Sequence, residues 1–499
     1  MEVLAFILYF VLVLGIGIFF FLNGRKVNNE EEYFLGGRKM GPWVTALSAQ
    51  ASDMSAWLLM GLPGSILAFG LGKAWIGIGL ALGTAANWIF VAKRLRRFSA
   101  AANDSITLPQ YLSNRFITGG RALQIISAVI FLVCFTVYVA SSFVAGTSVF
   151  TAVFPDLKPG TALLIFAAII VLYTFLGGFK AVCWTDFFQG TLMLIALLAV
   201  PMVMLFVKDL DFSKLSQVYS YAEGEKTVEC VFGQNLFGAD WRDIVSGLAW
   251  GLGYFGMPHI LVRFMSIKDP KKVKKSATVA IVWVTIALLA AIVIAVFGRV
   301  YIADKLLPVG NQKMVFVELA RDLFPPFVAG LLLAAIIAAS MSTADSQLLV
   351  ASSSFTSDIY KPIFRKKATD NEVVWIGRIT ILIVAVVAYF IASAKGSGAQ
   401  AIMNMVENAW GGFGASFGPV VLLSLFWRRL TYKGAVAGIA VGALVDVGWL
   451  IWLSGTGIYE LFPGFVAGLI ACVVVSLIDK KPSAEIEALF DRATKKIAD

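Results

Sequence analysis

The sequence predicts an all-α polytopic membrane protein with thirteen transmembrane helices, and three observations carry that expectation. Of its 499 residues 59% are hydrophobic and only 14% charged, and the mean hydropathy is +0.83, too apolar for a water-soluble domain of this length. A bilayer core of about 30 Å requires roughly 20 apolar residues per helix. Runs of that kind occupy 3–23, 43–70, 74–92, 122–150, 161–183, 187–207, 243–265, 277–303, 326–354, 374–394, 399–427, 434–454 and 461–478. Third, Lys and Arg sort into alternate connections. The segments after runs 1, 3, 5, 7, 9 and 11, with the tail, hold 28 of them when Arg263 at the end of run 7 is included, and the opposite set holds 11 when Arg299 at the end of run 8 is included. Cations concentrate on the cytoplasmic side, so the N-terminus is expected outside and the C-terminus inside. The clusters Lys93–Arg97 and Lys271–Lys275 are then cytoplasmic solvated faces and no nucleic-acid patch.

Run 1 lacks a basic leader and a small-residue cleavage site, which makes it a retained helix and no signal peptide. Runs 2 and 7 differ from the rest. ALSAQASDMSAWLLMGLPGS (46–65) and SGLAWGLGYFGMPHILVRF (246–264) carry Gly, Pro and polar residues at a depth where lipid tolerates no unsatisfied backbone. Each opens a set of five runs, 2 to 6 and 7 to 11. Five is odd, so the second set enters the membrane from the opposite side. That is an inverted repeat, and paired broken helices point to a binding site near the midplane. The expected organisation is one transmembrane domain, 1–479, with a first repeat at about 43–207 and a second at about 243–427. Residues 480–499 form a short cytoplasmic tail. The connection 208–242 is charged and holds Cys230, which suggests solvent exposure. Cys134, Cys183, Cys230 and Cys472 have no CxxC spacing and read as unpaired thiols.

Asp53 is the only carboxylate between Glu32 and Asp104, and a charge at that depth costs at least about 2.5 kcal/mol unless paired or ion-bound. A broken helix frees backbone carbonyls, the oxygen ligands that a hard cation such as Na⁺ prefers. Run 9 supplies hydroxyls in AASMSTADSQLLV (338–350). At helical spacing Ser342, Asp345 and Ser346 share a face that Thr343 flanks, placed either to ligate or to bond their own helix carbonyls. Asp186, in the TDFFQG connection between runs 5 and 6, is a helix N-cap or a further cation ligand. Trp57, Tyr138, Trp250 and Tyr254 would wall an organic solute, or pack and anchor. His259 reads as a satisfied polar residue, since one histidine builds no zinc site of the usual kind. No phosphate loop, HExxH or GxSxG occurs, which argues against ATP-driven pumping and against an enzyme. An ion gradient remains as the energy source.

The segments EEYFLGGRKMGPWVTALSAQASDMSAWLLMGLPG (31–64), FTVYVASSFVAG (135–146), LYTFLGGFKAVCWTDFFQG (172–190), WGLGYFGMPHILVRFM (250–265) and AAIIAASMSTADSQLLV (334–350) resemble the sodium:solute symporter family, over nearly the whole chain. The resemblance implies thirteen helices with a leucine-transporter-like five-plus-five inverted repeat, and Na⁺-coupled uptake of L-proline by alternating access in a plasma membrane. It implies a sodium site built from the carbonyls of Ala51 and Met54 and the hydroxyls of Ser342 and Thr343. By the same resemblance Asp53, Asp186, Asp345 and Ser346 would be further sodium-linked residues. It assigns the solute to Ser55, Trp57, Gly61, Tyr138, Trp250, Tyr254 and Pro258, and a cytoplasmic-side role to Arg38 and Arg263. Three positions depart from the pattern: Ala56 stands where glycine is expected, Met257 where glutamine is, and Asp345 where several members carry serine. Partners are then the solute and the bilayer, with no nucleic acid and no obligate protein partner. The alternatives are a Na⁺ symporter of another small solute, such as a monocarboxylate, pantothenate or another amino acid, and a solute-sensing membrane module.

Overall fold

Backbone N–H and C=O groups in hydrocarbon find partners within their own helix, and the apolar runs of this chain are helical apart from the breaks in runs 2 and 7. The computed structural model describes residues 1–24, 29–117, 121–206, 210–224, 226–395 and 399–495. Among them eleven helices are long and apolar enough to cross a membrane by length and composition, and two shorter apolar stretches, Ala56–Phe69 and Pro159–Phe175, accompany them. We number the helices used below as α1 (Glu2–Gly24), α2 (Pro42–Met54), α3 (Gly61–Phe69), α4 (Leu71–Ala101), α5 (Ala122–Val153), α6 (Pro159–Met204), α7 (Trp241–Gly253) and α8 (Pro258–Ser266). They continue as α9 (Val273–Tyr301), α10 (Pro326–Phe355), α11 (Asp370–Lys395), α12 (Ala399–Phe426), α13 (Tyr432–Trp452), α14 (Leu461–Ile478) and α15 (Ala484–Thr494).

Run 9 is α10, the axis of the molecule, in contact with α1, α2, α5, α6 and α11. Every residue from Leu332 to Ser354 is buried, so its polar positions face protein and not lipid. Close approach elsewhere depends on glycine. A Cβ on Gly83 would stand 2.3 Å from the carbonyl oxygen of Gly251, and one on Gly79 would stand 2.2 Å from that of Gly247. α4 and α7 therefore meet backbone to backbone.

Three expectations are corrected. Runs 5 and 6 are not joined through the TDFFQG connection. α6 is helical across it and kinks earlier, at Gly178 (φ 63°), a backbone conformation that glycine alone adopts at little cost. Asp186 therefore lies inside a helix and caps none. It is tolerated there because Arg263 from α8 pairs with it, as described below. The connection 208–242 is largely exposed, as expected, but its Cys230 is completely buried. The connection 208–242, whose residues 208, 209 and 225 lie outside the described residues, folds as an antiparallel hairpin of β1 (Tyr219–Glu223) and β2 (Lys226–Cys230). Arg299 at the end of α9 clamps the hairpin, donating to the carbonyls of Cys230 (3.1 Å), Gln217 and Leu67 (3.0 Å), the last in α3. The four cysteines are free, as expected. In the tail, α15 starts on a Ser483 cap and packs Phe490 on Phe98 (5.4 Å between centroids); residues 496–499 lie outside the described residues.

Candidate cation and solute site

Runs 2 and 7 are both interrupted. α2 ends at Met54, and Ser55 holds φ 44° and ψ −175°. For a residue with a Cβ this is strained backbone, costing about 1–3 kcal/mol. Ser55 Oγ accepts the Trp57 N–H (3.1 Å), and the chain passes through a 3₁₀ turn, Ala56–Leu58. Leu58 N–H there donates to the Ser55 carbonyl (3.4 Å), three residues back where an α-helix reaches four. Run 7 parts between α7 and α8, and Pro258 at the first position of α8 lacks the N–H that a continuous helix would need.

At the first break Ser342 Oγ donates to the Ala51 carbonyl oxygen (2.9 Å), and Thr343 Oγ1 lies 3.5 Å from the same oxygen. All three residues are fully buried. Three oxygens and no nitrogen converge here, a donor set suited to a hard monovalent cation. Helix spacing put Ser342, Asp345 and Ser346 on one face; the structure divides their tasks. Ser342 and Thr343 turn to α2, while Ser346 receives Arg263 Nη2 (2.5 Å) and donates to Asp345 Oδ1 (3.2 Å).

Arg263 is the hub of a buried charge cluster. Its Nη2 pairs with Asp186 Oδ2 (2.9 Å), its Nε donates to Ser48 Oγ (2.8 Å) and its Nη1 to the His259 carbonyl (2.6 Å). Ser48 Oγ also donates to Asp186 Oδ2 (2.7 Å). One guanidinium thus faces two carboxyl groups. Asp186 Oδ1 and Asp345 Oδ2 have no hydrogen-bond partner among the described residues. Arg38 lies outside the cluster, where the chain enters α2. It donates to the carbonyls of Ser105 (2.8 Å) and Met265 (3.0 Å) and to Ser99 Oγ (3.3 Å), tying the start of α2 to the ends of α4 and α8.

Beside the breaks, Asp53, Met54, Ser55, Trp57, Tyr138, Trp250 and Tyr254 line one small cavity, with Leu80, Val406 and Trp410. Tyr254 OH donates to Asp53 Oδ2 (2.5 Å), so this carboxylate is partnered within the cavity wall. The indoles of Trp57 and Trp250 stack at 5.5 Å and 24° and leave about 10 Å³ free, room for about one water. Gly61 and Pro258 are not in the lining. Gly61 stands behind Trp57, where a Cβ would meet the indole Cδ1 at 2.7 Å, and Pro258 starts α8.

Residue-type reasoning missed one aromatic member of the wall and a residue that supports it. Trp410 of α12 stacks on Trp250 (6.1 Å) and donates from Nε1 to its carbonyl (2.9 Å). Asn87 Nδ2 holds the Tyr254 carbonyl (3.0 Å) at the second break. The glycine-rich segment after Trp410 was the one available signal. His259 is also corrected. It is fully buried with both ring nitrogens unpartnered among the described residues, and its ring packs edge-on against Phe135 and Tyr138 (5.8 and 6.4 Å). No group of three or more metal-ligating side chains occurs among the described residues.

A model of the Sodium:solute symporter family matches residues 33–442. The chain is 44% identical to the sodium/proline symporter of Escherichia coli over 489 residues, covering 97% of this chain and 95% of the relative. It is 42% identical to the high-affinity proline transporter PutP of Bacillus subtilis over 468 residues, with coverages of 94% and 96%. Among solved structures it resembles a Na⁺-coupled sialic acid symporter in a substrate-bound outward-open state, with TM-score 0.77, 18% identity and coverages of 97% and 98%. It also resembles the nucleobase-cation-symport transporter Mhp1 in a closed conformation, with TM-score 0.54, 16% identity and coverages of 92% and 98%.

Proposed function

The chain belongs to the sodium:solute symporter family and is a secondary transporter with Na⁺ as coupling ion, no enzyme; from that premise we propose that it carries L-proline into a bacterial cell by alternating access. The observation that carries this reading is the pairing of two breaks. Ala51, at the end of α2, presents its carbonyl to the hydroxyls of Ser342 and Thr343. Four residues on, the same break places Ser55 and Trp57 in the aromatic cavity. Na⁺ bound to Ala51 O, Met54 O, Ser342 and Thr343 fixes the strained turn at Ser55, and the fixed turn presents Trp57 against Trp250 and Tyr254. The prolyl ring lies between the indoles, and its polar groups meet Ser55, Tyr138 and the Tyr254–Asp53 pair. Gly61 leaves room for the Trp57 indole, and Pro258 keeps the second break open. Asp186, Asp345 and Ser346 form a second cation-linked region around Arg263, and Arg38 holds the inner end of α2.

In this reading the chain crosses the bilayer thirteen times, counting α2 with α3 and α7 with α8 as one span each and α6 as two. Residues 1–479 form one transporter domain, with inverted repeats at about 43–207 and 243–427, N-terminus outside and C-terminus inside. One Na⁺ crossing 100 mV supplies about 2.3 kcal/mol; a tenfold Na⁺ gradient adds about 1.4 kcal/mol. Together they sustain roughly 500-fold accumulation of a neutral solute. The test is uptake of labelled proline into proteoliposomes, with unlabelled amino acids, monocarboxylates and pantothenate as competitors. An inward Na⁺ gradient should drive uptake that only proline and its close analogues inhibit; equal rates without the gradient would refute coupling.

A further inference from the structure

Below the aromatic cavity and the cation cradle, on the side toward Arg38, three fully buried polar side chains have no hydrogen-bond partner among the described residues: Gln50, His259 and Gln347. They come from three elements. Gln50 is one turn of α2 from Asp53 and Met54, which line the cavity, and shares their helix face. Gln347 is one turn of α10 from Thr343. His259 packs on Tyr138 of the cavity wall and on Phe135, one turn deeper. The contacts of Arg263 with Ser48, Ser346 and the His259 carbonyl draw α2, α10 and α8 together at this level. Both amide atoms of each glutamine and both nitrogens of the imidazole are unpartnered. An orphaned buried amide is costly, and all three side chains lie outside the lining of the described cavity.

The unpartnered positions also continue. On α10 the face of Thr343 and Gln347 carries Ser354, interrupted by Val350, and the π-helical turn that follows carries Ser357. The hydroxyls of Ser354 and Ser357, and of Ser127 on α5, are buried without partner among the described residues. The series ends in a polar cavity of about 490 Å³ lined by Glu30, Gln124, Ser357 and Lys361, among others.

We infer that Gln50, His259 and Gln347 form an inner hand-over site for a small zwitterion, occupied as the solute leaves the aromatic cavity toward the cytoplasm. Amides supply both donors and acceptors and imidazole supplies one of each, which matches a carboxylate and an ammonium on one molecule. A bare alkali ion would find oxygen ligands in the two glutamines only. The first turn of α8, capped by no side chain, presents backbone N–H groups to the carboxylate end. The inference rests on the reading of proline as solute.

The experiment replaces each group by an apolar side chain of similar size, Gln50→Met, Gln347→Met and His259→Phe, with Gln347→Asn as the polar control. It measures Na⁺-dependent proline binding to purified protein and turnover in proteoliposomes. Binding and KM should stay within about twofold of the parent while kcat falls about tenfold or more, the loss of one hydrogen bond to a charged group. Gln347→Asn should recover most of the turnover. Unchanged kcat in all three apolar variants, or a rise in KM with kcat preserved, would overturn the inference. So would Gln347→Asn failing alongside Gln347→Met while both still bind proline. The parent protein in the same vesicles separates this result from failure of the proline reading, because without parent uptake it is the proline reading that fails.

Discussion

Replacing Ser342 by alanine removes one cradle oxygen and leaves the fold around it intact. The hydroxyl stands 2.9 Å from the Ala51 carbonyl, so a cation bonded to that carbonyl is within reach of both. An interaction between a hydroxyl and a charged partner contributes about 1.5–3 kcal/mol, which is roughly 10-fold to 150-fold in an equilibrium constant. Ser342→Ala should therefore raise the Na⁺ concentration for half-maximal uptake by that factor. Thr343→Ala, whose hydroxyl is farther away at 3.5 Å, should give the smaller effect. At saturating Na⁺ the proline KM should return close to the parent value, because the cavity itself is untouched. The assay is the initial rate of proline uptake in proteoliposomes across a Na⁺ titration at fixed membrane potential. An unchanged Na⁺ dependence, or a defect confined to proline KM at saturating Na⁺, would refute the cradle.

Other outcomes follow from the same geometry. Asp186→Asn removes the carboxylate that pairs directly with the Arg263 guanidinium in a fully buried setting. It should cost about 3–5 kcal/mol of stability, with partial recovery in the Asp186→Asn, Arg263→Gln double variant, read as thermal unfolding in detergent. Gly251→Ala drives a methyl to within 2.3 Å of the Gly79 carbonyl oxygen and should cost about 1–3 kcal/mol, whereas Gly15→Ala, with nothing within 4 Å, should be neutral by the same measurement. Gly61→Ala presses on the Trp57 indole and should raise proline KM with little change in Na⁺ dependence. Asp53→Asn weakens the acceptor for Tyr254 OH at the wall shared by solute and break, and should abolish Na⁺-dependent uptake while the protein still inserts and purifies.

Both breaks were legible because Gly, Pro and Asp at lipid depth contradict a continuous apolar helix, and that contradiction is visible in one dimension. The cradle was legible in half. Run 9 showed its hydroxyls, but that Ala51 in particular would offer its carbonyl came only through the family resemblance, since every residue carries a carbonyl. The kink at Gly178 was hidden because a glycine pair in an apolar run reads equally as close packing. The buried Asp186 and Cys230 were misplaced for a common reason. Each depends on an arginine from a distant helix, Arg263 for the first and Arg299 for the second, and no local window contains both partners. Trp410 lies 160 residues from Trp250, and only packing brings the two indoles together.

The central claim is that one strained turn, at Ser55, couples the cation to the solute. Linkage requires the coupling to be reciprocal, so the most direct measurement is equilibrium binding of each ligand with and without the other on purified protein. Na⁺ should tighten proline binding by about tenfold or more, and proline should tighten Na⁺ binding by the same factor. Proline binding that is indifferent to Na⁺ would contradict the account.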